Sequence, residues 1–360
     1  MTEIGSYYEY DYSVENNNEV QTPLFIPSNI TDFTYTFSGR SAIELALINI
    51  MESQDIKRVY MPSYCCSSML SSFIKHGIDI TYYDVSINSN GLTYHIDYSQ
   101  DVDLFFAMSY FGVEHSMDEV IKKFKSLGTI ILEDITHRLL SEISFSKYAD
   151  YGVASLRKWF AIPTGGLLVS KTNINIKPNK KSDIFVQDQI KAMELKTSYL
   201  NENKVEKEAF FKLYNRLNQE IQEIDYLFKI DKTSEQILHK LDVNNIKQIR
   251  KENARIMYEN LRQYSLINML QETVDLSQMT PLYVPIIVQS KEIRDKLVKH
   301  LIDNQIYCPV HWPKPTEINL NNRNNALYEQ EISLICDQRY SRNDMRKIIE
   351  KIGEFEHQYA

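Results

Sequence analysis

Residues 102–137 read VDLFFAMSYFGVEHSMDEVIKKFKSLGTIILEDITH, and this stretch decides the fold. Residues 102–109 are a nearly unbroken apolar run. Such a run fits a strand covered on both faces, as in a parallel sheet, better than the alternation of a half-exposed one. Residues 117–127 have the spacing of an amphipathic helix that ends at Gly128. Residues 129–132 are a second apolar strand, which runs straight into Glu133, Asp134, Ile135, Thr136 and His137. Strand, helix, strand is a parallel pair with its crossover.

The rhythm extends in both directions. Upstream, residues 58–61 read as a strand, 67–76 as a helix and 78–85 as a strand. Downstream, residues 152–156 are a short buried strand followed by Lys158, an aromatic, a Pro turn, the Gly165-Gly166 pair and another apolar strand ending near Ser170. The expectation is an α/β protein with a large, doubly wound, mostly parallel sheet. Its ligand site then lies at the carboxyl ends of the strands.

Composition bounds the partners. The chain has 360 residues, 43% hydrophobic and 24% charged, with a net charge of −8. That is an ordinary globular balance with room for more than one domain. The acidic balance argues against nucleic acid and against an anionic membrane surface. No apolar run approaches a membrane span, and the polar, tyrosine-rich amino terminus does not read as a signal peptide. Cys65, Cys66, Cys308 and Cys336 show no metal-ligand spacing, so no metal is expected and a reduced, cytoplasmic protein is.

The chain divides into an amino-terminal arm (1–31), a large α/β domain (32–203), a long linking helix (204–240) and a smaller carboxyl-terminal α/β domain (241–360). The arm, with YYEYDYS and ENNN, has no periodicity and reads as a loose segment or one lying on another subunit. Residues 43–51 suit a buried helix, with Ser41 and Glu44 at capping-box spacing. Residues 204–228 carry the stripe of one long amphipathic helix and 244–264 that of another. Strands at 281–288 and 306–310 and helices at 291–304 and 341–355 complete the second domain.

Three polar residues fall at strand ends of the first domain: Asp134, His137 and Lys158. Singly, each has an ordinary reading, as a turn cap, a satisfied core histidine and a surface charge. Together they match what pyridoxal phosphate requires. Lys158 can react with its aldehyde, and Asp134 can keep its pyridine nitrogen protonated so that the ring draws electrons. His137 can lie by the ring hydroxyl. The helix start at Gly39, Arg40 and Ser41, with its free N–H groups, can take the phosphate together with Ser155. No dinucleotide fingerprint, P-loop or nucleophile elbow competes.

The chain resembles the DegT/StrS family of pyridoxal-phosphate-dependent aminotransferases, many of which act on nucleotide-linked keto-sugars. The matching stretches are FSGRSAIELAL, VYMPSYCCSSML, FFAMSYFGVEHSMDEVIKKF, TIILEDITHRL and SLRKWFAIPTGGLLVS, and more loosely IRKENARIMYENL, PLYVPIIV and NQIYCPVHWPK. The resemblance implies the type I aminotransferase fold, a homodimer with its active sites at the subunit interface, Lys158 as the Schiff-base lysine and Asp134 as the partner of the pyridine nitrogen. It puts His137 by the ring hydroxyl and Gly39 with Arg40 at the phosphate.

The departures from the family pattern are specific. Arg40 replaces a threonine. Cys66 replaces the aromatic that stacks on the cofactor ring, leaving Tyr64 or another aromatic to cover it. Val153 replaces a serine, which shifts the phosphate hydroxyl to Ser155. The Asn-x-Arg motif that reaches the neighbouring subunit is reduced to Lys232 and Ser234. His311-Trp312-Pro313 resembles a loop near the substrate, or packs between domains. The reading is an aminotransferase that passes an amino group from an amino acid, glutamate first, to a keto-sugar. The alternatives are a silent relative serving as a binding or assembly subunit, and a dehydratase or decarboxylase; Lys158 argues against the family's dehydratase branch, which carries histidine there.

Overall fold

The apolar run at 102–109 lies in the middle of the molecule. The computed structural model describes residues 3–12, 23–88, 91–113, 117–202, 205–318 and 325–359. Asn16 to Asn18 of the arm and the domain boundary at 203/204 lie outside the described residues. The first part of the chain runs β1 (Ile4–Gly5), β2 (Asp32–Thr36), α1 (Gly39–Met51), β3 (Arg58–Pro62), α2 (Ser67–Lys75), β4 (Asp79–Asn88) and β5 (Gly91–His95). It continues through β6 (Leu104–Met108), α3 (Asp118–Ser126), β7 (Ile130–Asp134), β8 (Tyr151–Ser155) and β9 (Gly166–Ser170).

One eight-stranded sheet results, in the order β2-β9-β8-β7-β6-β3-β4-β5. Its five central strands, β8, β7, β6, β3 and β4, are mutually parallel. Antiparallel β9, β2 and β5 close the edges. Leu104 to Met108 are all buried, as a central strand covered on both faces demands. Phe105 stacks on Phe124 of α3 with ring centroids 4.3 Å apart. The capped helix begins three residues earlier than its capping-box spacing suggested. Ser38, in extended backbone, is the N-cap and accepts from Ser41 N–H. Glu44 instead pairs with Lys75 of α2.

Beyond β9 the chain forms α4 (Asp183–Glu202), α5 (Lys207–Glu220), α6 (Lys232–Leu238) and α7 (Val243–Asn260). Then follow β10 (Ile267–Met269), β11 (Val284–Val288), α8 (Lys291–Asp303), β12 (Ile306–Tyr307), α9 (Asn325–Gln330), β13 (Glu331–Leu334) and α10 (Arg342–Tyr359). The long helix expected over 204–228 stops at Glu220. Leu227 and Phe228 are drawn off to accept backbone hydrogen bonds from Asn179, Lys180 and Phe37. Strands β10, β11 and β13 form an antiparallel sheet whose core is shared with α7, α8 and α10.

The described part of the arm is not loose. β1 pairs in parallel with β12, and Ile4 is fully buried in the core of the second sheet. Glu3 is paired with Lys196 and Lys207. The expected strand over 306–310 is therefore only two residues long, and its partner is the arm.

Candidate active site

The site gathers at the carboxyl ends of the parallel strands, where an open α/β sheet places its ligands. β7 ends at Asp134, and the next residues form a tight turn, Thr136–Arg138. β8 ends at Ser155, and a second tight turn, Leu156–Lys158, brings Lys158 round. β3 leads to Cys66, which begins α2. A cavity of about 230 Å³ lies between them, lined by Gly39, Arg40, Cys66, Asp134, His137, Ser155 and Lys158, and also by Thr136 and Trp312.

Local packing fixes each group. Trp159 Nε1 donates to the Thr136 carbonyl at 2.6 Å, which ties the two turns together. The Arg250 guanidinium lies 4.5 Å over the same indole. Tyr8 of the arm and Gln338 both donate to the Trp159 carbonyl, so the turn that carries Lys158 is held from two sides. Thr136 Oγ1 accepts from Ser155 N–H at 3.0 Å, and Asp134 Oδ1 accepts from Thr136 N–H at 2.8 Å. The start of α1 sits so close to β8 that a Cβ on Gly39 would come within 2.8 Å of Ser155 Cβ. Gly166 likewise lets the hairpin pass, since a Cβ there would lie 2.1 Å from the Ser38 carbonyl oxygen.

Electrostatics favours neutral forms. Burial lowers Lys158 from its usual value, against the raising effects of Cys66 and Asp134. Burial raises Asp134, opposed by its hydrogen bonds from Thr136 and by Lys158. His137 is driven well below the usual imidazole value by burial and by Lys158 and His311. Its Nδ1 accepts from Phe111 N–H at 2.9 Å. The neutral ring therefore carries its proton on Nε2, which lies 3.5 Å from Lys158 Nζ. Among the described residues the Arg40 guanidinium and the Ser155 hydroxyl make no hydrogen bond or close ion pair with the protein, and both line the cavity beside the α1 amino terminus. The donor set is an amine, a carboxylate, an imidazole and an anion-binding end.

Two of the residues expected to bind the cofactor lie apart from the cavity. Ser41 is fully buried, its hydroxyl 2.9 Å from that of Ser38. Tyr64 is buried too, and its hydroxyl donates to the His311 carbonyl. Lys232 and Ser234 belong to α6, where Ser234 Oγ accepts from Thr164 N–H at 3.0 Å and latches the helix to the Pro turn. Thr136 and Trp312 are the additions. Thr136 had a signal in the polar run between Asp134 and His137; Trp312 had only the loop resemblance. Among the described residues no group of His, Cys, Asp and Glu has the arrangement of a metal site.

No family model and no curated protein matches the chain by sequence. Solved structures do match, over nearly the whole chain. Helicobacter pylori PseC, an aminotransferase involved in the biosynthesis of pseudoaminic acid, aligns with a TM-score of 0.67 at 16% identity, covering 99% of this chain and 100% of its own. A DegT DnrJ EryC1 StrS aminotransferase from Brucella abortus aligns at 0.63 and 13% identity, covering 96% and 93%. NtdA from Bacillus subtilis, solved with bound cofactor PMP, aligns at 0.62 and 14% identity, covering 96% and 80%. The chain thus has the type I aminotransferase fold, a large mixed sheet followed by a smaller α/β unit.

Proposed function

We propose that this protein is a pyridoxal-phosphate-dependent aminotransferase of the DegT/StrS kind, which takes an amino group from an amino acid, glutamate first, and passes it to a nucleotide-linked keto-sugar. The observation that carries the reading is the convergence of Lys158, Asp134 and His137 on one cavity whose other end offers Arg40 and Ser155. These residues fit the cofactor. Arg40, Ser155 and the α1 amino terminus suit its phosphate. Asp134 suits its pyridine nitrogen, and His137 Nε2–H is a donor for its ring hydroxyl. Gly39 leaves the backbone bare beside Ser155. When bound, pyridoxal phosphate supplies a conjugated electron sink.

The protein's own part is to position and to move a proton. Lys158 Nζ, whose burial lowers its pKa and so favours the free amine, is the base that removes the proton from the donor's α-carbon and returns it to the product. His137 stays neutral and keeps its Nε2 proton in place. Asp134, tied by Thr136, holds a fixed direction. A homodimer, a cytoplasmic location and the division of the chain near residues 31, 203 and 240 belong to the same proposal. They are supported by the resemblance and by four cysteines that are all free. A second reading, a fold-keeping subunit without transamination, is favoured by Cys66 and by a cavity below the roughly 300–1,000 Å³ common for ligand sites.

Two measurements separate the readings. Purified protein given pyridoxal phosphate is expected to gain a visible absorbance band that borohydride fixes to Lys158, and Lys158→Ala is expected to fix none. Glutamate is then expected to bleach the band as the pyridoxamine form appears. A fixed cofactor that no amino donor converts would favour the second reading, and fixation at another residue would sink the assignment of Lys158.

A further inference from the structure

Cys66 leaves the cavity without an aromatic on α2, yet the cavity is not without one. Trp312 is the only Phe, Tyr or Trp side chain among its lining residues in the described part of the chain. It comes from the loop between β12 and α9, far away in sequence. Its indole lies nearly parallel to His137, at 27° with ring centroids 5.7 Å apart, and Lys158 Nζ is 5.6 Å from the indole centroid. Trp312 is 8% exposed. Tyr64 and Tyr110 flank it with centroids at 5.0 and 6.2 Å.

A buried polar chain holds the indole there. Glu331 Oε2 accepts from His311 N–H at 2.7 Å, and Ser333 Oγ donates to Glu331 Oε1 at 2.5 Å. With its own proton given to Glu331, Ser333 Oγ accepts from His311 Nδ1–H at 2.8 Å. Tyr64 donates to the His311 carbonyl on the other side. His311, Glu331 and Ser333 are all buried, so none of these bonds competes with water. A peptide gripped at its N–H, its side chain and its carbonyl fixes the start of the next residue. The His311–Trp312 loop is therefore held in place before any ligand arrives.

We propose that Trp312 is the aromatic wall of the cofactor pocket, supplying from the carboxyl-terminal unit the flat face that Cys66 does not, and that Glu331, Ser333 and His311 are positioning residues for it. The inference rests on the reading that the pocket takes pyridoxal phosphate. A flat electron-poor ring gains from an aromatic neighbour beyond the area it buries, and a large apolar side chain of similar bulk does not replace that gain.

The test is the dissociation constant of pyridoxal phosphate, read from its visible absorbance, with the visible circular dichroism of the bound cofactor as a second readout. Trp312→Leu keeps apolar bulk and is expected to weaken binding about tenfold and to change the dichroism. Trp312→Phe is expected to stay within about threefold of the wild type. Ser333→Ala, which leaves the indole but cuts its tether, is expected to weaken binding about threefold and to add little in the Trp312→Leu background. Wild-type affinity and dichroism in Trp312→Leu would overturn the wall, and wild-type behaviour in Ser333→Ala would overturn the tether. A wild-type protein that takes up no cofactor would defeat the functional reading first, and this inference with it.

Discussion

At the scale of the residue, Lys158 shows how a site can be legible while its surroundings are not. The convergence of Lys158, Asp134 and His137 could be read from sequence because each lies at or just beyond a strand end, and strand ends in a parallel sheet converge. Trp312 could not be assigned, since its approach depends on how the second sheet docks. Tyr64 and Cys66 sit on the same turn after β3, and only the packing reveals that Tyr64 is drawn away to His311 while Cys66 faces the cavity. The lowered Lys158 amine makes a prediction. A free base is what reacts with an aldehyde, so fixation of pyridoxal phosphate is expected to fall as pH drops through the folded pKa. Burial puts that midpoint below the ordinary lysine value of 10.5. A borohydride-fixation profile against pH measures it, and a midpoint at or above the ordinary value would contradict the buried amine.

At the scale of the element, the parallel core was readable and the helices beyond it only partly so. Strands β3, β6, β7 and β8 are short, mostly buried runs, and an α-helix adjoins each of the first three. Helix α4 shows no clear apolar stripe in the sequence, because a lysine interrupts its buried face. Lys196 is fully buried, and its partners, the Gly5 and Tyr7 carbonyls, lie in the arm. Helix α6 is short, and its cap, Asp231, works through Thr164 as well as Ser234. The start of α1 yields a prediction of its own. Gly39→Ala puts a methyl 2.8 Å from Ser155 Cβ, and neither the helix nor the strand can yield without moving the anion-binding end. Overpacking of this kind costs about 1–3 kcal/mol. Chemical denaturation is expected to show that loss together with weaker pyridoxal phosphate binding, and an unchanged affinity would separate the helix start from the phosphate.

At the scale of the whole molecule, the arm straps the two sheets together, and the strap is built on buried charge. Lys196 lies 3.8 Å from Glu3 and 3.7 Å from Glu9. Glu3 also meets Lys207 at 2.6 Å, and Glu9 meets Arg339 at 3.3 Å. Burial, with Arg339 adding to it, lowers Lys196 to about 8 against the pull of Glu9, Glu3 and Asp337. The sign follows from proton counting. Between that value and the ordinary 10.5, the unfolded chain holds a proton on this lysine that the folded chain has released, so the lysine's contribution to stability rises with pH. Buried tyrosines work the other way once unfolded tyrosine ionises near pH 10, which confines the useful window to about pH 8 to 9.5 and calls for a difference measurement. The stability of wild type minus that of Lys196→Met is expected to increase by about 1.5 kcal/mol across that window. Urea unfolding at several pH values measures it, and a difference that stays flat would mean that Lys196 keeps its proton in the fold and that the strap is held by its full charge.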